Sequence, residues 1–206
     1  MARTKTKRVV ALLLDPNYKP VSKYELAKKA GCTPSWALML TKKLENKKFL
    51  KNLKVTDIKK LFELFHNLRA KKNESRSYSI YSLENTDKLM DLFKKANKEY
   101  AFTTYIAENI VQKYLFSHRS EAYIKKEDLE DWHKELTKLG TYGGGNVRII
   151  VSSSEELFNK KQIGNNGPWI VSTPQLISDL YTEGGPAKEA GDMLLEKLIK
   201  DIEAKK

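Results

Sequence analysis

The chain has 206 residues, 40% of them hydrophobic and 31% charged, with a net charge of +12 and one cysteine, Cys32. That length accommodates one large domain or two small ones. No apolar run approaches the roughly 18 residues of a membrane span, and the lone cysteine excludes an internal disulfide framework and a multi-cysteine zinc site.

The charge is unevenly placed. Residues 1–77 carry 20 Lys and Arg against 6 Asp and Glu, a net of +14; residues 78–206 carry 18 against 20, a net of −2. Such asymmetry points to a basic N-terminal module with a polyanionic partner and a near-neutral companion domain. A merely solubilising lysine surface is the plainer alternative. The N-terminal MARTKTKR lacks the apolar core and cleavage site of a signal peptide, so a cytoplasmic protein with no membrane partner is expected.

In chain order, Thr4 to Leu14 reads as a short buried helix, ended by the turn signals of Asp15 to Pro20. Ser22 and Glu25 form a capping-box pattern, with Val21 and Leu26 as a staple pair. The helix they open runs to Ala30, and Gly31 supplies the left-handed residue that stops it. Thr33 and Pro34 then start a second helix. Ala37, Leu40 and Leu44, with Trp36 beside them, form its buried stripe, leaving Ser35, Leu38, Met39, Lys42 and Lys43 wholly or partly outside it. Two capped helices joined by a tight turn containing Gly are the helix-turn-helix pattern, which many helical hairpins share.

Phe49, Leu50, Leu53 and Val55 suit two short strands around a basic tip of Lys51, Asn52 and Lys54. Thr56 is read as the cap of a further helix whose buried face is Ile58, Leu61, Phe62, Phe65 and Leu68. Helix, helix-turn-helix, basic hairpin and helix make a winged helix, expected over residues 1–72. The predicted DNA-binding set is Thr33, Ser35, Met39, Lys42, Lys43, Lys47, Lys48, Lys51 and Lys54. A helix N-terminus takes a phosphate through its free amides, short hydroxyls reach phosphates or base edges, and lysines bind phosphates. Taken singly, each lysine reads almost as well as a solvated surface charge. No Arg, Asn or Gln lies between Thr33 and Leu44, so the commonest base-reading side chains are missing there.

Ala70 to Ser77 reads as a linker. Beyond it come a strand in YSIYSL, a helix capped at Asn85 or Thr86, a strand in YAFTT, a helix from Tyr105 to Tyr114 and a strand in EAYIKK. A helix from Glu127 to Leu139, strands in NVRIIVSS and PWIVS, and helices over Pro174–Tyr181 and Pro186–Ala204 complete the chain. The fold class is therefore α+β, with the winged helix-turn-helix followed by a mixed α/β C-terminal domain over 78–206.

No catalytic, metal or cofactor site is expected. TYGGGN (Thr141 to Asn146) precedes a strand, whereas a phosphate cradle follows one, and it reads as a flexible loop. His66, His118 and His133 share no ligand spacing. Glu127, Asp128, Glu130 and Asp131 stand in the first turns of a helix, where the dipole favours carboxylates. Ser152 to Ser154 lacks the G-x-S-x-G elbow. Double-stranded DNA is the expected partner and a homodimer the expected state, since such modules read paired half-sites. The competing class is a DNA-processing enzyme, a nuclease or nucleotidyltransferase, targeted by the winged helix.

VSTPQLISDL followed by GG-x-x-x-EA carries Val171, Ser172, Pro174, Gln175, Leu176, Asp179 and Leu180, then Gly184, Gly185, Glu189 and Ala190. Together with YAFTTYIAENI (Tyr100 to Ile110), this pattern resembles the AbiEi-type antitoxin regulators across nearly the whole chain. Pro186 departs from the resemblance, standing where a basic residue near the glycine pair is expected. The resemblance implies a DNA-binding autorepressor whose C-terminal domain neutralises a nucleotidyltransferase-like toxin. Packing alone would also account for these residues, Asp179 then being a surface residue of its helix.

Overall fold

The computed structural model describes residues 2–68, 74–81, 83–116, 119–152, 157, 161–162 and 167–205. The chain is mixed α and β, and it divides into two compact units. One comprises Met1–Ala70 together with Asp192–Lys206; the other is Lys71–Gly191. Most of the last helix therefore belongs with the N-terminal unit, where one C-terminal domain over 78–206 was expected.

The N-terminal unit contains α1 (Ala2–Leu13), α2 (Lys23–Lys29), α3 (Pro34–Asn46), the antiparallel strands β1 (Leu50–Lys51) and β2 (Lys54–Val55), and α4 (Ile58–Asn67). Its core is aliphatic and Phe-rich. Val9 and Val10 of α1, Leu14 just beyond it, Leu26 of α2, Leu44 of α3 and Leu61, Phe62 and Phe65 of α4 are all at most 2% exposed. Burying each such side chain contributes about 1.5–3 kcal/mol.

Two local expectations fail here. Val21 is 88% exposed, so no hydrophobic staple forms against Leu26. The cap of α4 is Asp57, whose carboxylate accepts from the Lys60 amide at 2.9 Å. Thr56 instead donates its hydroxyl to the Lys48 carbonyl at 2.7 Å.

The second unit holds β3 (Ser75–Ser79), α5 (Leu83–Lys95), β4 (Tyr100–Thr103), α6 (Thr104–Val111), β5 (Ser120–Lys125), α7 (Leu129–Thr137), β6 (Thr141–Tyr142), β7 (Val147–Ser152), β8 (Lys161–Gln162), β9 (Trp169–Ile170) and α8 (Thr173–Glu183). Helix α9 (Gly185–Ala204) starts in this unit. Among the described residues the sheet has seven strands in the order β6-β3-β7-β5-β4-β9-β8. The β5–β7 and β4–β9 pairs are parallel and the others antiparallel.

Its core centres on aromatic rings. Phe93 lies 4.4 Å from Trp132, 4.8 Å from Phe102 and 5.0 Å from Tyr100, centroid to centroid. Ser75 to Ser77 pair with β7 as strand residues, not linker. Asn85 and Thr86 lie inside α5, which starts at Leu83.

Candidate nucleic-acid interface

The α2–α3 corner forms from local chemistry. The Ser22 hydroxyl oxygen accepts from the Glu25 amide at 3.1 Å, and the Glu25 carboxylate accepts from the Val21 amide at 2.8 Å. Ala30 closes α2 and Gly31 follows at φ 63°, after which the Cys32 amide returns to the Ala27 carbonyl at 3.0 Å. The Thr33 hydroxyl oxygen accepts from the Trp36 amide at 3.4 Å. That oxygen is committed to the cap, so Thr33 meets a ligand chiefly as a hydroxyl donor.

Helix α3 is two-faced. Ala37, Leu40, Thr41 and Leu44 are buried, while Ser35, Met39, Lys42 and Asn46 succeed one another at three- and four-residue steps and are exposed. Asn46 is an addition to the predicted set. It lies just beyond the Thr33–Leu44 window and brings the only amide side chain to this stripe. Met39 is 59% exposed and Leu38 40%.

Past α3 the chain turns through Lys48 at φ 59°, with the Phe49 amide bonded to the Leu44 carbonyl at 2.9 Å. This is a helix-ending geometry that usually takes Gly. The Thr56 bonds to Lys48 and Phe49 pin it. Asn52 at φ 49° and Leu53 at φ 64° then make a two-residue turn of the mirror-image type matched to strand twist. The register sets Lys51 directly opposite Lys54. Like charges so placed destabilise a hairpin, so folding alone gives no reason for the pair.

All nine predicted residues are exposed. Among the described residues, Lys42, Lys43, Lys47, Lys48, Lys51 and Lys54 make no ion pair. Six uncompensated ammonium groups on one helix end and its following hairpin form a surface suited to polyanions.

The structure also assembles a polar cluster in the second unit that the sequence reading did not find. Thr103 of β4, Glu121 of β5 and Arg148 of β7 are consecutive neighbours across the sheet. Glu121 is 2% exposed, paired with Arg148 at 2.8 Å and accepting from the Thr104 hydroxyl at 2.7 Å. Gln175, Asp179 and Glu183 form one stripe of α8. Asp179 accepts from Thr103, from Tyr123 at 3.2 Å and from Gln175 at 2.8 Å, and Glu183 lies 3.5 Å from Arg148 and 3.6 Å from Arg119. Burial, then the Asp179 carboxylate, push the Tyr123 hydroxyl well above its ordinary value. Asp179 is therefore a half-buried anchor of α8 and not a surface residue. Its four-residue spacing from Gln175 and Glu183 was the available signal.

The remaining candidates have structural partners. His133 shares a 2.9 Å hydrogen bond with the Tyr78 hydroxyl, and His66 stacks on Phe62. His118, Ser153 and Ser154 lie outside the described residues. Glu130 pairs with Arg76 and Asp131 with Lys98, holding both carboxylates below their ordinary range. The Gly143–Gly145 segment links β6 to β7, which flank β3 on either side, and the Asn146 amide bridges the Ile80 amide and carbonyl. Gly184 and Gly185, at φ 74° and 48°, form the α8–α9 corner. Among the described residues no three His, Cys, Asp or Glu side chains converge as a metal-binding group, and no helix is long and apolar enough to cross a membrane. No family model, curated protein or solved structure matches this chain.

Proposed function

We propose that the N-terminal unit is a winged helix that binds duplex DNA, with α3 in the major groove and the β1–β2 hairpin along the backbone. The protein then acts as a transcriptional repressor of the AbiEi-type antitoxin kind, a homodimer on paired half-sites. One observation carries the reading most directly. The hairpin presents Lys51 and Lys54 opposite each other, exposed and without ion pairs among the described residues, and a phosphate backbone would turn that repulsion into binding energy. Ser35, Met39, Lys42 and Asn46 offer few base-reading groups, so backbone contacts dominate affinity and sequence preference is modest. The resemblance carried by Gln175, Asp179, Gly184 and Gly185 supports assigning the second unit to a partner protein, a nucleotidyltransferase-like toxin.

Selection of bound fragments from random duplex DNA by the full chain tests this reading. Enriched fragments should carry two half-sites separated by whole helical turns, roughly 10 base pairs each. Failure to retain any duplex at low salt would remove the DNA reading. Single, unpaired sites would remove the dimer.

A further inference from the structure

The N-terminal unit forms a partly open cavity of about 160 Å³. Its walls come from Leu13 of α1, the Asp15–Pro20 turn, the hairpin segment 52–55, and Ile202 and Lys205 of the chain's last segment. Its apolar lining includes Leu13, Tyr18, Leu53, Val55 and Ile202. For scale, an apolar cavity of about 150 Å³ takes up benzene.

The charged lining is lopsided, with Lys19, Lys54 and Lys205 against a single acid, Asp15. Two of these four are committed to the turn: Lys205 donates to the Asn17 side-chain oxygen at 2.6 Å, and Asp15 accepts from the Asn17 amide at 2.9 Å. Lys19 and Lys54 are exposed and make no ion pair among the described residues. One wall is itself poised. Leu53 holds φ 64°, a left-handed conformation that is unfavourable for a bulky residue.

We infer that this cavity binds a small monocyclic aromatic carboxylate, its ring among Leu13, Leu53, Val55 and Ile202 and its carboxylate toward Lys19 and Lys54. A single ring fits the cavity volume, and the excess of lysine in the lining selects an anion over a neutral ring. Because the bound ring touches Leu53 and the carboxylate meets Lys54, occupancy also changes the shape and charge of the hairpin turn.

Backbone-amide NMR titration of the full chain with benzoate, benzyl alcohol and acetate tests it. Benzoate should give saturable shifts centred on residues 53–55 and 202, with a dissociation constant of roughly millimolar order for so few atoms. Benzyl alcohol keeps the ring without the charge and acetate the charge without the ring; both should bind about threefold more weakly or worse. Lys54→Gln, a surface change, should weaken benzoate about two- to fivefold and leave benzyl alcohol unchanged. Unsaturable shifts, shifts centred elsewhere, equal affinity for benzoate and benzyl alcohol, or equal effects of Lys54→Gln on both would overturn it.

Discussion

Neutralising the hairpin lysines separates a DNA-binding surface from a solubilising one. The perturbation is the fourfold variant Lys47→Gln, Lys48→Gln, Lys51→Gln, Lys54→Gln. All four side chains are exposed and free of ion pairs among the described residues, so stability should move by no more than about 0.5 kcal/mol per site. Relief of the Lys51–Lys54 repulsion works in the stabilising direction. Each phosphate contact contributes about 0.9 to the slope of log affinity against log salt, so four contacts contribute roughly 3.6. Between 50 and 200 mM salt the native protein should therefore lose about a hundredfold more affinity than the variant. Fluorescence anisotropy of a labelled duplex across that range measures both slopes, with thermal unfolding as the folding control. Equal slopes in a variant of unchanged stability would refute the assignment of the hairpin to DNA.

Other outcomes follow from single features. Lys48 at φ 59° makes no ion pair among the described residues, so Lys48→Gly should raise stability by about 1 kcal/mol in urea unfolding while weakening duplex binding. Arg148→Met removes the partner of the 2%-exposed Glu121 and should cost about 3–5 kcal/mol in the same assay; adding Glu121→Gln should recover part of the loss. In the β6–β7 connection, a Cβ at Gly145 would lie 2.3 Å from the Tyr78 carbonyl oxygen, whereas Gly144 has open space. Gly144→Ala should therefore cost about 1 kcal/mol of backbone strain, and Gly145→Ala clearly more. The Asp57 carboxyl is held below its ordinary value, chiefly by the Lys60 backbone amide. A lowered folded value means the cap contributes fully above the unfolded value of about 3.9 and fades as pH falls through the folded one. Asp57→Ala should cost about 1 kcal/mol at neutral pH, and the difference from the native protein should vanish in strong acid.

Features decided between neighbouring residues are legible along the chain. Ser22, Gly31 and Thr33 punctuate α2 and α3 because each cap needs only amides two or three residues away. The stripe of Ala37, Leu40 and Leu44 fixes which side of α3 is buried, and hence which of its side chains meet solvent. The charge division between the two parts of the chain is read by counting. Where two local solutions competed, the sequence did not arbitrate: Thr56 and Asp57 are both good caps, and the Lys48 carbonyl drew Thr56 away.

Other features depend on how distant segments pack. An apolar stripe such as Leu194, Leu195, Leu198 and Ile202 states that a helix face is buried, not in which core, and most of α9 belongs with the N-terminal unit. Strands as short as β6 and β8 carry no periodicity of their own and exist because β3 and β9 pair with them. Glu121, Arg148 and Asp179 lie far apart along the chain and become one cluster only when β4, β5 and β7 align under the polar stripe of α8. Local chemistry acts over a turn of helix, whereas sheet register and helix docking join residues as far apart as Thr103 and Asp179.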